Sequence, residues 1–387
     1  MTIKHINKNL LFIVLSLITI FCVINSSTTL YNVNADIDLN ASTAKAMCVI
    51  EANSERVIAS KSCDLKLAMA STTKIATAIT AIDHLTDDLD TKYIVPDKAV
   101  GIEGTSMYLK KGEEVSKREL LYGLMLSSGN DSAMALALLT SNTEAEFCEL
   151  MNETAKKAGA NNTNFVNPHG LDVDNHYTTA KDLALITAYA LKNELFAEIS
   201  ATKNCVIEET NKYETRYLRN KNRLLHTLNN CIGVKTGFTD NAGRCIVVAT
   251  EKDGLKLICV LFNCPDMFEE GARLLNYINS NYDMVEILKP NSYVTSIPVK
   301  NGDKNVVRLY AQNAFSYPLS KTEQSEMVVN YDFPKTIDAP VDEEKNIGKI
   351  NIFIGKQLLF STNICTIDNV KLMDKNNELN NIIENWF

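Results

Sequence analysis

Apolar positions follow a strand-like pattern near both ends of residues 36–283 and a helical pattern between them. Residues 46–50 and 56–59 predict two strands joined by a turn, and residues 244–250 and 255–262 predict a hairpin. Apolar residues at helical spacing predict helices over 71–85, 116–126, 133–139, 145–158, 179–192 and 269–281. This order predicts an α+β fold with one antiparallel sheet built from both ends, flanking helices and an inserted helical lobe.

The pattern changes after residue 283. Short alternating segments, separated by turn residues, predict strands at 292–299, 305–309, 326–331 and 349–354. Pro334 and Pro340 fall between such segments, where loops are expected. We therefore predict a small all-β domain over residues 284–372.

The first 35 residues have the pattern of an export signal. Lys4 and Lys8 precede an almost wholly apolar run over 10–24, and small residues follow as far as Ala35. The alternative is an uncleaved membrane anchor, but the run is shorter than the ~20 residues that a spanning helix needs. We predict a signal peptide over 1–35 and a location outside the cytoplasmic membrane.

The last 15 residues, 373–387, predict an amphipathic helix. Its apolar residues recur at helical spacing on one face: Leu379, Ile382, Ile383, Trp386 and Phe387. We interpret it as a peripheral membrane contact, with the aromatic rings at the headgroup level. The alternative is a helix that docks on the protein itself.

Composition excludes several function classes. The 387-residue chain has a formal net charge of −8 and no long basic run, so we expect no nucleic-acid partner. Its ten cysteines form no CxxC spacing and no ligand pattern with the five histidines, so we expect neither a metal nor a cofactor. Cys48, Cys245 and Cys259 lie in strand-like runs and are predicted to be small buried hydrophobic residues.

Ser71-Thr72-Thr73-Lys74 is the first motif that suggests chemistry. At the start of a helix, residues i and i+3 share a face, so Lys74 can reach the Ser71 hydroxyl. A serine at a helix N-terminus also lies among free backbone N–H groups. An SxxK sequence alone is weak evidence, because many helices contain one by chance.

Two further motifs follow in order. Ser128-Gly129-Asn130 lies between two predicted helices, where glycine suits a tight loop. Lys235-Thr236-Gly237 follows an apolar segment on a predicted strand, with Lys235 and Gly237 on one face. Lysine and threonine together can hold a carboxylate, and glycine lets a substrate backbone approach the strand.

The three motifs together resemble those of β-lactamases and penicillin-binding proteins. The sequence resembles more closely the D-alanyl-D-alanine carboxypeptidases of that superfamily, and the stretch Asn167-Pro168-His169-Gly170-Leu171 is similar to a stretch of that family. The resemblance covers residues 40–280 well and the β-rich domain more loosely. It implies the fold of that superfamily, acyl transfer on peptidoglycan pentapeptide stems that end in D-Ala-D-Ala, and covalent inhibition by β-lactams.

The resemblance also implies residue roles. Ser71 is the expected nucleophile and Lys74 its base, which must be neutral, so burial and the charge of Lys235 are expected to lower its pKa. Ser128 is expected to relay a proton to the departing D-alanine. Substrate binding is assigned to Asn130 for the amide, to Lys235 and Thr236 for the carboxylate, to Gly237, to the backbone N–H of Phe238 beside that of Ser71, and to the charge of Arg244.

Other functions stay open at this stage. A serine β-lactamase of this type commonly has a glutamate that activates the deacylating water, and residues 154–193 contain no glutamate. A penicillin sensor or an inactive wall-binding protein is a second alternative, and an endopeptidase that uses the same acyl chemistry is a third. His169 and His176 are predicted to order a loop, and Asp172, Asp174 and Asp182 are predicted to be loop and cap residues.

Overall fold

A computed structural model describes residue 39 and residues 41–84 and 88–373. The predicted signal peptide lies outside these residues, and so does the predicted C-terminal helix from residue 374 onward. In the described part of the chain, no helix is long and apolar enough to cross a membrane.

The central element is a five-stranded antiparallel sheet in the order β2-β1-β9-β8-β7. Its strands are β1 (Ala46–Glu51), β2 (Val57–Lys61), β7 (Cys231–Thr239), β8 (Gly243–Lys252) and β9 (Leu255–Phe262). Both ends of residues 36–283 therefore supply strands, which confirms the predicted sheet and the hairpin at residues 252–254. Strand β7 is an edge strand, so one side of its backbone has no neighbouring strand.

Helices cover both faces of this sheet. The helices are α1 (Lys74–Asp83), α2 (Lys117–Tyr122), α3 (Asn130–Thr140), α4 (Glu144–Lys157), α5 (Ala180–Ala190), α6 (Glu194–Ala201), α7 (Leu224–Thr227) and α8 (Met267–Asn281). Helix α5 packs on β1 and β9, whereas α8 packs on β8 and β9. Every residue of β1 is buried as a result, and the three predicted strand cysteines are buried too.

The helix starts follow from capping residues. Ser116 and Glu119 form the predicted capping box at α2, and Thr179 caps α5 by accepting a hydrogen bond from the N–H of Asp182. The helix predicted over 71–85 differs from the structure. It begins as a 3₁₀ turn over Ala70–Thr73, and the α-helix starts only at Lys74. Two short strand pairs lie in the lobe, β3 (Lys92–Ile94) with β4 (Glu114–Ser116) and β5 (Asn204–Ile207) with β6 (Arg216–Arg219).

The C-terminal part is an all-β domain apart from one short helix, α9 (Lys321–Glu326). Its six-stranded sheet has the order β14-β16-β17-β12-β11-β15, and β10 pairs with β13 beside it. The strands are β10 (Tyr282–Leu288), β11 (Tyr293–Lys300), β12 (Val306–Ala311), β13 (Phe315–Ser320), β14 (Met327–Asp332), β15 (Ile337–Asp338), β16 (Asn346–Ile354) and β17 (Gln357–Thr366). Its hydrophobic core, around Leu309, Ile350 and Ile364, is separate from the core around the five-stranded sheet.

Candidate active site

The first motif forms a turn that we call the serine turn, Ala70–Thr73. It leads directly into α1, so Lys74 lies one helical turn after Ser71. Lys74 Nζ is 3.0 Å from Ser71 Oγ, within hydrogen-bond distance. Ser71 is partly exposed and Lys74 is completely buried. The predicted nucleophile and its predicted base are therefore in contact, with the hydroxyl accessible and the amine shielded from water.

Lys74 is held by oxygen atoms without a negative charge. Its Nζ donates to Asn130 Oδ1 at 2.6 Å and to the backbone oxygen of His169 at 2.5 Å. Burial lowers the pKa of Lys74 well below the usual range, the positive charges of Lys235 and Lys221 lower it further, and Asp131 opposes the shift. The direction and two of its causes, burial and Lys235, are those that the sequence predicts.

The second motif brings Ser128 and Asn130 to the same place. Ser128 ends a π-helical turn (Gly123–Ser127) in a left-handed conformation, and Asn130 begins α3. Asn130 Nδ2 donates to the backbone oxygen of Glu103, which fixes the amide oxygen toward Lys74. Among the described side chains, no hydrogen bond joins the Ser128 hydroxyl to Ser71 or Lys74. Asn130 thus contacts the base directly, whereas Ser128 does not.

The third motif lies on the edge strand β7. A Cβ atom added to Gly237 would lie 2.8 Å from the backbone nitrogen of Ser71, so only glycine lets β7 pack this closely against the serine turn. Lys235 is buried on the same face of the strand, while Thr236 and Phe238 alternate onto the more exposed face. Burial lowers the pKa of Lys235 to about 7, and the charge of Lys221 adds to the effect.

These motifs meet at one cleft of about 290 Å³. Its lining includes six of the predicted site residues: Ser71, Ser128, Asn130, Thr236, Gly237 and Phe238. Lys74 lies beneath it, bonded to two of the lining side chains, and Lys235 lies buried beside Thr236. Arg244 is different: it is an exposed residue on β8, opposite Phe238, and it does not line the cleft.

Sequence reasoning missed Lys221. This residue lines the cleft and is solvent-exposed, but partial burial of its amine lowers its pKa. Its charge in turn lowers the pKa values of Lys74 and Lys235. No local pattern marks Lys221, because it belongs to an irregular segment after β6 and reaches the cleft only through the tertiary fold.

Asp131 was also missed. It is completely buried and accepts hydrogen bonds from the N–H groups of Met107 and Leu109 and from the Ser106 hydroxyl. These three donors from residues 106–109 fix the loop that carries Thr105. Thr105 lines the cleft, and its backbone oxygen accepts a hydrogen bond from the N–H of Asn130.

The segment 164–178 closes the cleft on the side of α1. Gly170 has a φ of +88°, and a Cβ atom there would lie 2.0 Å from the backbone oxygen of Ala70. Burial lowers the pKa values of His169 and His176 to about 4, so both rings are neutral near pH 7. Asp182 accepts from the N–H of Asn162, and Asp172 accepts from the Thr239 hydroxyl. The contacts of Asp172 and Asp182 agree with the loop and cap roles predicted for them.

A serine with a lysine at i+3, an SxN loop opposite it and a KTG edge strand define an active-site serine enzyme of the penicillin-binding and β-lactamase class. Within that class, the family model of the D-alanyl-D-alanine carboxypeptidases matches residues 32–266. The model of the penicillin-binding protein 5 C-terminal domain matches residues 282–372. The chain belongs to the D-alanyl-D-alanine carboxypeptidase family, and it is a serine peptidase.

Individual relatives match along most of their length. The chain is 29% identical to D-alanyl-D-alanine carboxypeptidase DacF of Bacillus subtilis over 335 residues, which are 85% of this chain and 86% of the relative. It is 30% identical to DacC of Escherichia coli over 342 residues, 85% of this chain and 84% of the relative. Crystal structures of penicillin-binding protein 5 from Haemophilus influenzae match with a TM-score of 0.72 at 28% identity, covering 85% of this chain and 98% of theirs.

Proposed function

We propose that this protein removes the terminal D-alanine from the peptide stems of the bacterial cell wall through an acyl-enzyme on Ser71, and that penicillin acylates the same hydroxyl. One observation carries the proposal. The buried amine of Lys74 lies 3.0 Å from Ser71 Oγ, in a cleft that also holds the SxN and KTG residues. The relatives named D-alanyl-D-alanine carboxypeptidase cover most of the chain and support the same activity.

Acylation begins with proton transfer from Ser71 to Lys74. A protonated lysine cannot accept this proton, so the low pKa of Lys74 is what makes it a base near neutral pH. Asn130 and the backbone oxygen of His169 hold the amine in place. The attacking oxygen then bonds to the carbonyl carbon of the penultimate residue, and its negative charge passes to the carbonyl oxygen.

The backbone N–H groups of Ser71 and Phe238 are the proposed oxyanion hole. Two observations support this assignment: Gly237 lets the strand pack against the serine turn, and Ser71 and Phe238 both line the cleft. Ser128 is the proposed relay of the proton from Lys74 to the departing D-alanine amine. Collapse of the intermediate breaks the C–N bond, D-alanine leaves, and water later hydrolyses the ester.

The cleft suits an extended peptide that ends in a carboxylate. Strand β7 is an edge strand, so a substrate backbone can add to the sheet by main-chain hydrogen bonds. Lys235, Thr236 and Lys221 supply two amines and a hydroxyl for the terminal carboxylate, and Asn130 is assigned to the substrate amide. We retain Arg244 as a more distant charge that attracts the carboxylate, since it lies across from Phe238.

The cleft favours a peptidase over a β-lactamase. Of the described residues that line it, none is an aspartate or glutamate, so the lining offers no carboxylate base for a deacylating water. His169 and Gly170 lie beside the serine turn instead. We therefore expect the penicilloyl ester to persist and nitrocefin turnover to be slow.

The same proposal covers the export and the domain organisation. Residues 1–35 are assigned as a signal peptide, 36–283 as the catalytic domain, 284–372 as the all-β domain and 373–387 as a helix for peripheral membrane contact. The enzyme then acts on the outer side of the cytoplasmic membrane, where its wall substrate is. The Lys4 and Lys8 charges before the apolar run over 10–24 support this location.

Release of D-alanine from a diacetylated Lys-D-Ala-D-Ala tripeptide tests the activity. The wild type is expected to release one D-alanine per peptide and to be inhibited by penicillin. Ser71→Ala is expected to lose both release and covalent labelling by a fluorescent penicillin. Labelling of Ser71→Ala at an unchanged rate would exclude Ser71 as the nucleophile, and fast nitrocefin hydrolysis by the wild type would favour a β-lactamase.

A further inference from the structure

Two buried side chains that the mechanism above does not use form a pair: Thr73, the last residue of the serine turn, and His176. His176 Nε2 lies 2.9 Å from Thr73 Oγ1, and both residues are buried. The pair joins the serine turn to segment 164–178, although its two residues are 103 positions apart in the chain. Thr73 lies two residues after Ser71, so the pair is placed to influence the backbone around the nucleophile.

The hydrogen bonds of this pair have a fixed direction. His176 Nδ1 accepts the backbone N–H of Val166 at 3.2 Å, so in the neutral ring the proton is on Nε2 and is donated to Thr73 Oγ1. Thr73 Oγ1 then donates its own proton to the backbone oxygen of Ala70 at 2.8 Å. The result is a series of three hydrogen bonds, each donating to the next residue, from Val166 through His176 and Thr73 to Ala70.

The environment of His176 keeps the ring neutral. Burial lowers its pKa to about 4, Asp172 opposes this shift, and the charge of Lys74 adds to it. His169 is the other titratable group that interacts with it, and its own pKa is also about 4. Phe165 packs against the imidazole edge, with ring centroids 5.9 Å apart. The acceptor at Nδ1, which fixes the tautomer that donates from Nε2, is therefore preserved across the physiological pH range.

The series of hydrogen bonds ends at the peptide plane that joins Ala70 to Ser71. The C=O of Ala70 and the N–H of Ser71 belong to one rigid plane, so fixing the oxygen fixes the direction of the N–H. Ala70 has a left-handed φ of +49°, which a residue with a Cβ adopts only when its surroundings hold it there. Gly170 packs against the same oxygen, and a Cβ atom there would also lie 2.9 Å from Thr73 Oγ1.

We propose that His176 and Thr73 are positioning residues that aim the Ser71 N–H at the oxyanion, by holding the carbonyl oxygen of the same peptide plane. This inference rests on the proposed function, since it takes Ser71 as the nucleophile and its N–H as an oxyanion donor. The pair touches no substrate. It acts through the backbone, so its effect belongs to the transition state and not to the first binding of the ligand.

Thr73→Val tests this series of hydrogen bonds most cleanly, because valine keeps the shape of threonine and removes only the hydroxyl. We expect the acylation rate constant with a fluorescent penicillin to fall roughly 10- to 100-fold, since losing a whole oxyanion donor costs about 100- to 1000-fold. The dissociation constant before acylation should change less than about threefold. Thr73→Ser restores the hydroxyl and should recover most of the rate.

The matched control is Thr154→Val. Thr154 is equally buried, and its hydroxyl accepts a hydrogen bond from Thr80 on α1, away from the serine turn. Its loss should lower the melting temperature about as much as Thr73→Val does and leave the acylation rate unchanged. An equal loss of rate in Thr154→Val would show that general destabilisation, and not orientation, explains the effect.

A double-mutant cycle tests the link to His176. His176→Leu should lower the acylation rate, and Thr73→Val added to it should lower the rate little further, because both changes break one series of hydrogen bonds. Fully additive losses would overturn the proposal, and so would a Thr73→Val rate within twofold of wild type. If His176→Leu does not fold, the Thr73→Val and Thr73→Ser pair decides alone. Absence of wild-type labelling, or labelling of Ser71→Ala, would instead contradict the proposed function.

Discussion

Arg216 and Lys74 are both almost completely buried basic residues in the catalytic part of the chain, but their surroundings differ. Arg216 Nη2 donates to Glu113 Oε2 at 2.9 Å, and its Nε donates to the backbone oxygen of Met107. Lys74 meets a hydroxyl, an amide oxygen and a backbone oxygen, and in the described part of the chain no carboxylate pairs with it. The first arrangement stabilises a charge, and the second disfavours one.

The difference separates structural from chemical roles. Burial alone would raise the pKa of Glu113, but the hydrogen bond from Arg216 is the main cause that keeps it below its usual value, so the pair stays ionised and anchors the loop before α2. Burial and neighbouring lysines lower the pKa of Lys74, so its amine can be neutral and basic. A buried basic side chain without a carboxylate partner therefore distinguishes the reactive centre of this protein from the structural ion pair.

The largest expected effect comes from removing the amine of Lys74, which has no carboxylate partner among the described residues. Lys74→Met should lower the penicillin acylation rate by about 1,000-fold or more, because a positioned base contributes roughly 100- to 10,000-fold. Its melting temperature should stay the same or rise, since methionine fills similar volume without burying a polar amine. Stopped-flow acylation and calorimetry measure both. An acylation rate within tenfold of wild type would show that another group is the base.

Removing the carboxylate of Glu113, the partner of Arg216, should have the opposite effect and lower stability. Glu113→Gln leaves Arg216 buried without its carboxylate, which is expected to cost about 3–5 kcal/mol of stability. Denaturant unfolding of the catalytic part measures this loss. A Glu113→Gln variant as stable as wild type would mean that the Arg216 pair does not anchor this region, and the contrast with Lys74 would fail.

Stability should also depend on pH through Lys235. Its pKa is about 7 in the folded protein against an ordinary 10.5, so between these values the unfolded chain binds a proton that the folded chain does not. Raising the pH through this window therefore favours the folded state, by about 1.4 kcal/mol per pH unit. Wild type should gain stability relative to Lys235→Met from pH 7.5 to 9. A constant difference would contradict the low pKa.

The smallest effect is expected at Lys221. Its positive charge lowers the pKa of Lys74, so Lys221→Met should raise that pKa and move the acid limb of the acylation profile to higher pH. At saturating penicillin near pH 7, we expect a rate loss of a few-fold. Lys221→Arg, which keeps the charge, should keep the profile in place. A shift of equal size in Lys221→Arg would indicate a role other than charge.

The sequence predicts the motifs and the main sheet well, because local spacing determines them. Ser71 and Lys74 share a helical face by their separation of three residues, and strand alternation places Lys235 and Gly237 together. Lys221 could not be predicted, because it affects Lys74 through space from a segment without a pattern. The Arg216–Glu113 ion pair could not be predicted either, because its partners are more than one hundred positions apart in the chain.

The serine turn shows a further limit. Periodicity predicts a helix from residue 71, but the chain forms a 3₁₀ turn first, and its left-handed Ala70 depends on Thr73, His176 and Gly170. Only the assembled fold brings these groups together. The order of strands in the C-terminal sheet is similarly set by long-range pairing, such as β12 with β17, and not by the pattern of any one strand.

The protonation of Lys74 is the property on which the mechanism depends. Its amine can be titrated by NMR in protein labelled with ¹³C at the lysine ε-carbon, with Lys74→Met used to assign the signal. The account predicts a signal that titrates well below the range of the surface lysines. A Lys74 signal that titrates with the surface lysines near pH 10.4 would contradict it.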